Sequence, residues 1–121
     1  MSGVAPEAHI PHEYLIIVYH ISDKQYQKRT WIKGESPGTD FDETVCQFAD
    51  IGDPILENYQ DFGITDSQYQ ILRKLRDIFG AFWEENGWQP KFIDTPEWDE
   101  IIEIAKEVLK AFHYPEGKRL I

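Results

Sequence analysis

Hydrophobic residues recur at helical spacing over two long segments in the second half of the chain. From Thr65 to about Glu84, successive apolar positions are one or three residues apart: Ile71, Leu72, Leu75, Ile78, Phe79 and Phe82. A second segment follows Pro96 and has the same pattern: Trp98, Ile101, Ile102, Ala105, Val108, Leu109 and Phe112. Because this spacing places the apolar side chains on one side of a helix, both segments are predicted to be amphipathic helices.

The ends of these two helices carry recognisable start and stop residues. Thr65 and Gln68 have the spacing of a capping box, in which each side chain bonds the backbone amide of the other residue. The Asn-Gly pair at 86–87 predicts the end of the first helix, since glycine is favoured where a helix stops. Thr95 is the predicted cap of the last helix, and Pro96 takes its first position.

Residues 40–62 predict two further short helices with a break between them. Asp40 and Glu43 form a second capping-box pattern. Apolar residues then fall on one face of the following helix, at Phe41, Val45, Phe48 and Ala49. The sequence Gly52-Asp53-Pro54 predicts an interruption, with Asp53 as the cap and Pro54 as the first-turn proline of the next helix. That helix would use Ile55, Leu56 and Tyr59 as its apolar side.

The N-terminal segment 11–22 is compatible with either a helix or a strand. Pro11 suits the first position of a helix, whereas the β-branched run within 14–19 suits a buried strand. We favour the helix, because a lone strand among helical segments has nothing to pair with. Ser22 or Asp23 would then cap a following segment that ends at Gly34.

Together these patterns predict an all-α protein with a single compact domain of about four to six short helices, and 14–19 as a possible N-terminal strand. We expect residues 1–10 to form a flexible N-terminal arm, residues 11–113 the helical domain, and residues 114–121 a C-terminal tail. The chain has 121 residues and 41% hydrophobic content, which is enough for one core.

Cysteine content and the N-terminal sequence bear on location. Cys46 is the only cysteine, so the chain cannot form an internal disulfide and does not depend on an oxidising compartment. The apolar run at 14–19 has no basic segment before it and is too short for a signal core or a membrane span. We therefore expect a cytoplasmic protein.

The acidic residues are concentrated in the middle of the chain. The formal net charge is −10, and the segment 34–72 contains nine Asp and Glu residues without a single Lys or Arg. Such an excess repels nucleic acids and anionic membranes and attracts basic proteins. Solubility alone is an alternative explanation for the overall charge. For the segregated segment we expect a basic protein partner, and neither nucleic acid nor membrane binding.

Candidate catalytic and metal-binding residues do not combine into a known constellation. The four histidines show no zinc-binding spacing, and Cys46, beside Val45 and Phe48 on a predicted helix, is interpreted as a small core residue. We therefore expect no enzymatic activity, no catalytic residues, no metal and no cofactor. Trp83 and Trp88 flank a helix end, where they pack at the edge of the core or anchor a partner.

Three stretches resemble small acidic bacterial immunity proteins of polymorphic and contact-dependent growth inhibition toxin systems. They are "WIKGESPG" with the following "FDETV", then "FGITDSQYQILRKL", and "FIDTPEWDEIIEIAKEVLKAF", which lie between Trp31 and Phe112. The resemblance implies a cytoplasmic inhibitor that binds a cognate toxin domain and has no enzymatic activity of its own. A nuclease toxin would fit the charge of this chain, because nucleases carry basic grooves for phosphate backbones.

The leading hypothesis is thus an immunity protein that blocks a basic toxin domain, most simply a nuclease, through an acidic helical face. The predicted contact residues are Asp42, Glu43, Asp50, Asp53, Glu57, Tyr59, Asp61 and Phe62, the two aromatic residues serving as anchors. The alternatives are a generic acidic helical adaptor or subunit without a toxin link, an enzyme assembled from distant residues, and a nucleic-acid mimic directed at another basic protein.

Overall fold

A computed structural model describes residues 10–34, 40–87 and 90–114, and this part of the chain is helical without a strand. The five α-helices are α1 (His12–Ile21), α2 (Lys24–Gln27), α3 (Phe41–Glu57), α4 (Asp66–Asn86) and α5 (Pro96–Ala111). A π-helical turn, Lys28–Ile32, continues α2, and a 3-10 turn, Pro90–Asp94, precedes α5. The predicted all-α, single-domain class is confirmed.

The four longer helices pack in a closed order around one core. Helix α5 contacts α1 and α4, and α3 contacts the same two helices from the other side. The centre of the core is aromatic: Tyr14, Phe41, Phe79 and Trp98 are each 1% exposed or less. The Phe41 ring lies within 6.3 Å of the Phe79 and Trp98 rings, measured between centroids. These three rings join α3, α4 and α5, and Tyr14 of α1 stacks on Phe48 of α3 at 5.6 Å between centroids.

The ambiguous N-terminal segment is a helix, α1, as favoured from the sequence. Pro11 lies just before the first helical residue rather than within the helix. Tyr14, Val18 and Ile21, at spacings of four and three residues, are at most 1% exposed. Contact with α3 and α5 on this side decides in favour of a helix, although the β-branched residues alone suit a strand equally well.

The predicted helix caps are largely confirmed. Thr65 and Gln68 form the full capping box of α4, and the Thr95 side chain accepts a hydrogen bond from the amide of Trp98 at the start of α5. Asp23 caps α2. At the start of α3 the Asp40 carboxylate accepts from the Glu43 amide at 2.8 Å. The Glu43 side chain does not reach back as the box predicted, because it accepts a hydrogen bond from the Gln47 side chain at 3.3 Å.

The predicted break at Gly52-Asp53-Pro54 is wrong, because α3 continues through it to Glu57. Pro54 removes one backbone donor and has a cost of about 3 kcal/mol in a helix interior. Burial on both sides of it offsets that cost: Gly52 lies against Tyr14 of α1, and Ile55 and Leu56 extend the apolar face of α3 into the core. Asp53 is consequently not a helix cap but an interior residue of α3.

The described residues extend one position beyond the predicted helical domain at each end. Residues 1–9 of the predicted arm and 115–121 of the predicted tail are outside them. Ile10 and Tyr114, at the two limits, both pack against the core. Among the described residues, no helix combines the length and the apolar character needed to cross a membrane.

Candidate functional site: an acidic stripe on helix α3

Five acidic side chains of α3 lie on one side of the helix. At about 100° of rotation per residue, they fall within an arc of about 100°. We call this set the acidic stripe: Asp42, Glu43, Asp50, Asp53 and Glu57. The buried side chains of α3 occupy the opposite side: Phe41, Thr44, Phe48 and Ile55. The helix thus presents its carboxylates away from the core, and four of the five residues are exposed while Asp53 is half-buried.

Cys46 lies in the middle of the acidic stripe. Its rotation about α3 places it between Asp53 and Glu57, and it is exposed. The interpretation of Cys46 as a small core residue is therefore wrong. The sequence neighbours Val45 and Phe48 suggested a buried position. They lie on one side of α3, however, and residue 46 is rotated away from that side by about a quarter of a turn.

One member of the stripe is partly neutralised by a base from α4. The Arg76 guanidinium lies 3.7 Å from the Asp53 carboxylate and 3.3 Å from that of Asp77. Within the described ranges, no Lys or Arg forms an ion pair with Asp42, Glu43, Asp50 or Glu57. Among the described residues, tertiary folding therefore supplies one counter-charge, from a segment that is distant in sequence, and leaves four of the five stripe carboxylates without an ion pair.

The stripe destabilises its own helix slightly. Asp50 and Asp53 are three residues apart, and Asp53 and Glu57 are four apart, so both pairs of like charges are neighbours on the helix surface. Each such pair costs a few tenths of a kcal/mol in an isolated helix, and Arg76 offsets part of this at Asp53. The remaining repulsion has no compensating contact within the described part of the chain.

The three other predicted contact residues follow the stripe in the turn after α3. Tyr59 and Asp61 line a shallow depression together with Glu57, the last residue of the stripe. The Tyr59 ring stacks on Tyr69 at 4.2 Å between centroids, and its hydroxyl donates to the Asp66 carboxylate at 2.9 Å. This hydrogen bond raises the pKa of Tyr59.

These contacts make Tyr59 a fixed part of the turn rather than a free anchor. Phe62 is half-buried and packs against the core, so only part of its ring is available to a partner. Asp61 is exposed and extends the acidic surface past the end of α3. The structure thus places Glu57, Tyr59 and Asp61 together, and directs Phe62 inward.

A groove between α3 and α4 runs beside the stripe and was not predicted from the sequence. Its volume is about 560 Å³, and Val45, Phe48 and Ala49 of α3 line it opposite Phe79, Gly80 and Trp83 of α4. Asp53, Arg76, Asp77 and Glu84 lie around its rim. Trp83 is half-buried, a position that suits packing at the edge of the core and still leaves part of the ring accessible to a partner. Trp88 lies outside the described residues. The available signal was Gly80, a glycine in the interior of a strongly periodic helix.

Among the described residues, no group of three or more His, Cys, Asp or Glu side chains is placed to hold a metal ion. His20 stacks on Tyr26 at 3.8 Å, and burial lowers its pKa. Another cleft, between α5 and the N-terminal helices, is lined by two internal ion pairs, Lys24 with Asp99 and Lys106 with Glu103.

Comparison with known proteins gave no match: neither a protein-family model, a curated protein nor a solved structure matches this chain.

Proposed function

We propose that this protein is a cytoplasmic immunity protein that binds and blocks a basic toxin domain through the acidic stripe. The observation that carries the proposal is the position of five carboxylates on one outward arc of α3, of which only Asp53 has a described ion-pair partner. A helix that tolerates this repulsion has a physical advantage when the surface meets a cationic partner, because long-range attraction speeds encounter and disfavours acidic competitors.

The spacing of the stripe supports a nuclease as the class of toxin. Residues 42–57 span about 22 Å of helix axis, so the five carboxylates average about one per 4–5 Å, or about one per 5–6 Å without Asp53, which Arg76 partly neutralises. One strand of duplex DNA carries one charge per about 3.4 Å of axis. The stripe therefore approaches the linear charge density of a nucleic-acid strand, and it matches a groove whose lysines and arginines are arranged for phosphates.

The inhibitor acts by occupancy and needs no chemistry of its own. Electrostatic attraction orients the stripe towards the basic groove, and the bound helix then excludes the nucleic-acid substrate. The expectation of no enzymatic activity follows from this mode of action.

Co-expression tests the proposal at the level of function. The product of the adjacent upstream reading frame is expressed alone and together with this protein, and growth is measured. We expect growth arrest by the neighbouring product alone and relief of that arrest on co-expression. A neighbouring product that is harmless by itself, or an arrest that this protein does not relieve, contradicts the proposal.

Association kinetics with that product test the stripe itself. The double charge reversal Asp50→Lys with Glu57→Lys should reduce the association rate at least about tenfold at low salt, with a smaller effect at high salt. A matched control is Glu100→Lys with Glu107→Lys on α5, since these exposed residues have the same seven-residue spacing. Equal association rates for the two double variants would remove α3 as the contact face.

A further inference from the structure

The groove between α3 and α4, called here the α3–α4 groove, has both apolar and charged lining residues and is bounded by two antiparallel helices. Phe41 lies beside Trp83 with ring centroids 5.5 Å apart, Phe48 beside Phe79 at 5.1 Å, and Asp53 beside Arg76. The groove extends along α3 from Val45 to Asp53, which corresponds to about 12 Å or just over two helical turns. An elongated opening of this length fits a helix better than a compact small molecule.

Gly80 provides an observation that is independent of the acidic charges. It lies in the interior of α4, where glycine is markedly less favourable than alanine. A Cβ atom at this position would meet nothing within 4 Å. Packing within the folded chain therefore does not require a glycine here. The absence of a side chain instead keeps the α4 wall of the groove low, opposite Ala49 on α3, so that another backbone can approach closely.

The rim of the groove defines the charge of its occupant. Asp53, Asp77 and Glu84 provide three carboxylates around the opening. Arg76 pairs with Asp53 and Asp77, and Arg73 also pairs with Asp77, so that Glu84 is the carboxylate of this group without an ion pair among the described residues. The stripe residues Asp42 and Asp50 continue this negative surface along α3. A second copy of this chain is disfavoured as the occupant, because two molecules of net charge −10 repel each other. Anionic lipid head groups are disfavoured for the same reason.

From these features we infer that the α3–α4 groove binds the apolar face of a basic amphipathic helix of the partner protein. Two turns of that helix place apolar side chains over Val45, Ala49 and Gly80, and its flanking Lys or Arg residues reach the carboxylates on the rim. Trp83, half-buried at one end of the groove, offers a rigid aromatic surface to the apolar residues. This inference rests on the proposed function, since it identifies a basic amphipathic helix as the part of the toxin domain that binds beside the acidic stripe.

Two peptides of identical composition test the groove without the toxin. Both consist of Leu and Lys and are about 15 residues long, a length at which isolated helices begin to be stable. One places its leucines along a single helical face, and its isomer distributes them around the helix. We expect the amphipathic peptide to bind at least about tenfold more tightly in calorimetric titrations. In ¹⁵N-labelled protein, the Gly80 and Trp83 amide signals should move most among the described residues.

Filling the groove provides the matched variants. Gly80→Leu adds bulk without changing charge and should weaken binding of the amphipathic peptide about tenfold, whereas Gln70→Leu, on an exposed part of the same helix outside the groove, should not. Ala49→Leu fills the groove from the α3 wall and serves if Gly80→Leu disturbs α4. Equal binding of the two peptides, or full affinity in both filled variants, overturns the inference.

The outcomes separate this inference from the proposed function. If the peptide discriminates and the filled variants lose affinity, the groove is a helix-binding site even when the neighbouring gene product shows no association. If the neighbouring product binds through the stripe but neither filled variant changes its dissociation rate, the proposed function stands and the groove inference fails.

Discussion

The Trp98 indole donates a buried hydrogen bond of 2.9 Å to the side-chain oxygen of Gln27, which lies 71 positions earlier in the sequence. The amide nitrogen of Gln27 donates to the backbone carbonyls of His20 and Ile21 at 2.9 Å and 2.8 Å. Gln27 is fully buried, and these contacts join the end of α1 to the first turn of α5. The indole N–H, which is the only polar group of the Trp98 side chain, thus has a hydrogen-bond acceptor in Gln27. The same Gln27 side chain donates to two backbone carbonyls at the C-terminal end of α1.

Gln27→Leu should destabilise the fold by about 2–4 kcal/mol. The substitution leaves the buried Trp98 N–H and two backbone carbonyls without their hydrogen-bond partner, and leucine fills the space of the glutamine side chain only approximately. Chemical denaturation followed by circular dichroism measures this change. Gln25→Leu is the matched control, since Gln25 is exposed on the same short helix, and it should change the free energy of unfolding by less than about 0.5 kcal/mol. Equal stability of the two variants would show that the buried network contributes little.

Two glycine-to-alanine substitutions should have opposite effects. A Cβ atom at Gly52 would lie 2.8 Å from Cε1 of Tyr14, so Gly52→Ala forces α1 and α3 apart and should cost about 1–3 kcal/mol. Gly80→Ala meets no neighbour within 4 Å and should stabilise the isolated protein by about 0.5–1 kcal/mol. Thermal unfolding of both variants checks the pair, and a loss of stability in Gly80→Ala would contradict the open space above that residue.

Stability should fall as pH decreases below about 6.5, the ordinary pKa of histidine, in part because of His20. Burial lowers the pKa of His20 in the folded state, although the nearby Asp23 carboxylate acts in the opposite direction. The unfolded chain therefore binds this proton at higher pH than the folded chain does. The stabilising contribution is present above the unfolded pKa and is lost as pH falls towards the folded pKa, by at most about 1.4 kcal/mol per pH unit.

His20→Gln isolates this contribution, because glutamine does not take up a proton over the same range. Denaturation curves at pH 7.5 and pH 5.5 should show a smaller loss of stability for the variant than for the unmodified protein. Parallel pH profiles for the two proteins would mean that the acid sensitivity arises elsewhere, for example at carboxylates.

If the proposed function is correct, removing the base beside the acidic stripe accelerates binding of the proposed toxin partner. Arg76→Gln releases Asp53 from its ion pair, so the association rate at low salt should increase about two- to threefold, and the increase should disappear at high salt. Lys74→Gln is the control, since it makes the same change in net charge on another side of α4. Identical acceleration by both variants would indicate a response to net charge alone rather than to potential at the stripe.

Several features of the fold and site were predictable because they depend on neighbouring residues. The caps at Thr65 and Thr95 use side chains within one turn of the amides that they bind. The apolar stripe of α5 follows from its spacing alone. Once α3 is known to be continuous, helical periodicity also predicts that Asp50 and Glu57 lie on the same side of it, because seven residues make nearly two full turns.

Other features required the packed structure, because they depend on partners far away in the sequence. α3 passes through Gly52 and Pro54 only because Tyr14 and the core cover that side, which local signals for a helix break do not register. Arg76 neutralises Asp53 from a different helix. The α3–α4 groove exists where two helices fail to fill the space between them.

The sequence by itself determined that this protein is helical, where most of its helices begin, and that its middle segment is strongly acidic. These properties arise from hydrogen bonds, periodicity and charge within a few residues. Only the tertiary structure decided that α1 is a helix, that α3 continues through Pro54, and that Gln27 and Trp98 share a hydrogen bond. Those outcomes depend on which surfaces meet in three dimensions, and the free energy of that contact exceeds the local preferences of the residues involved.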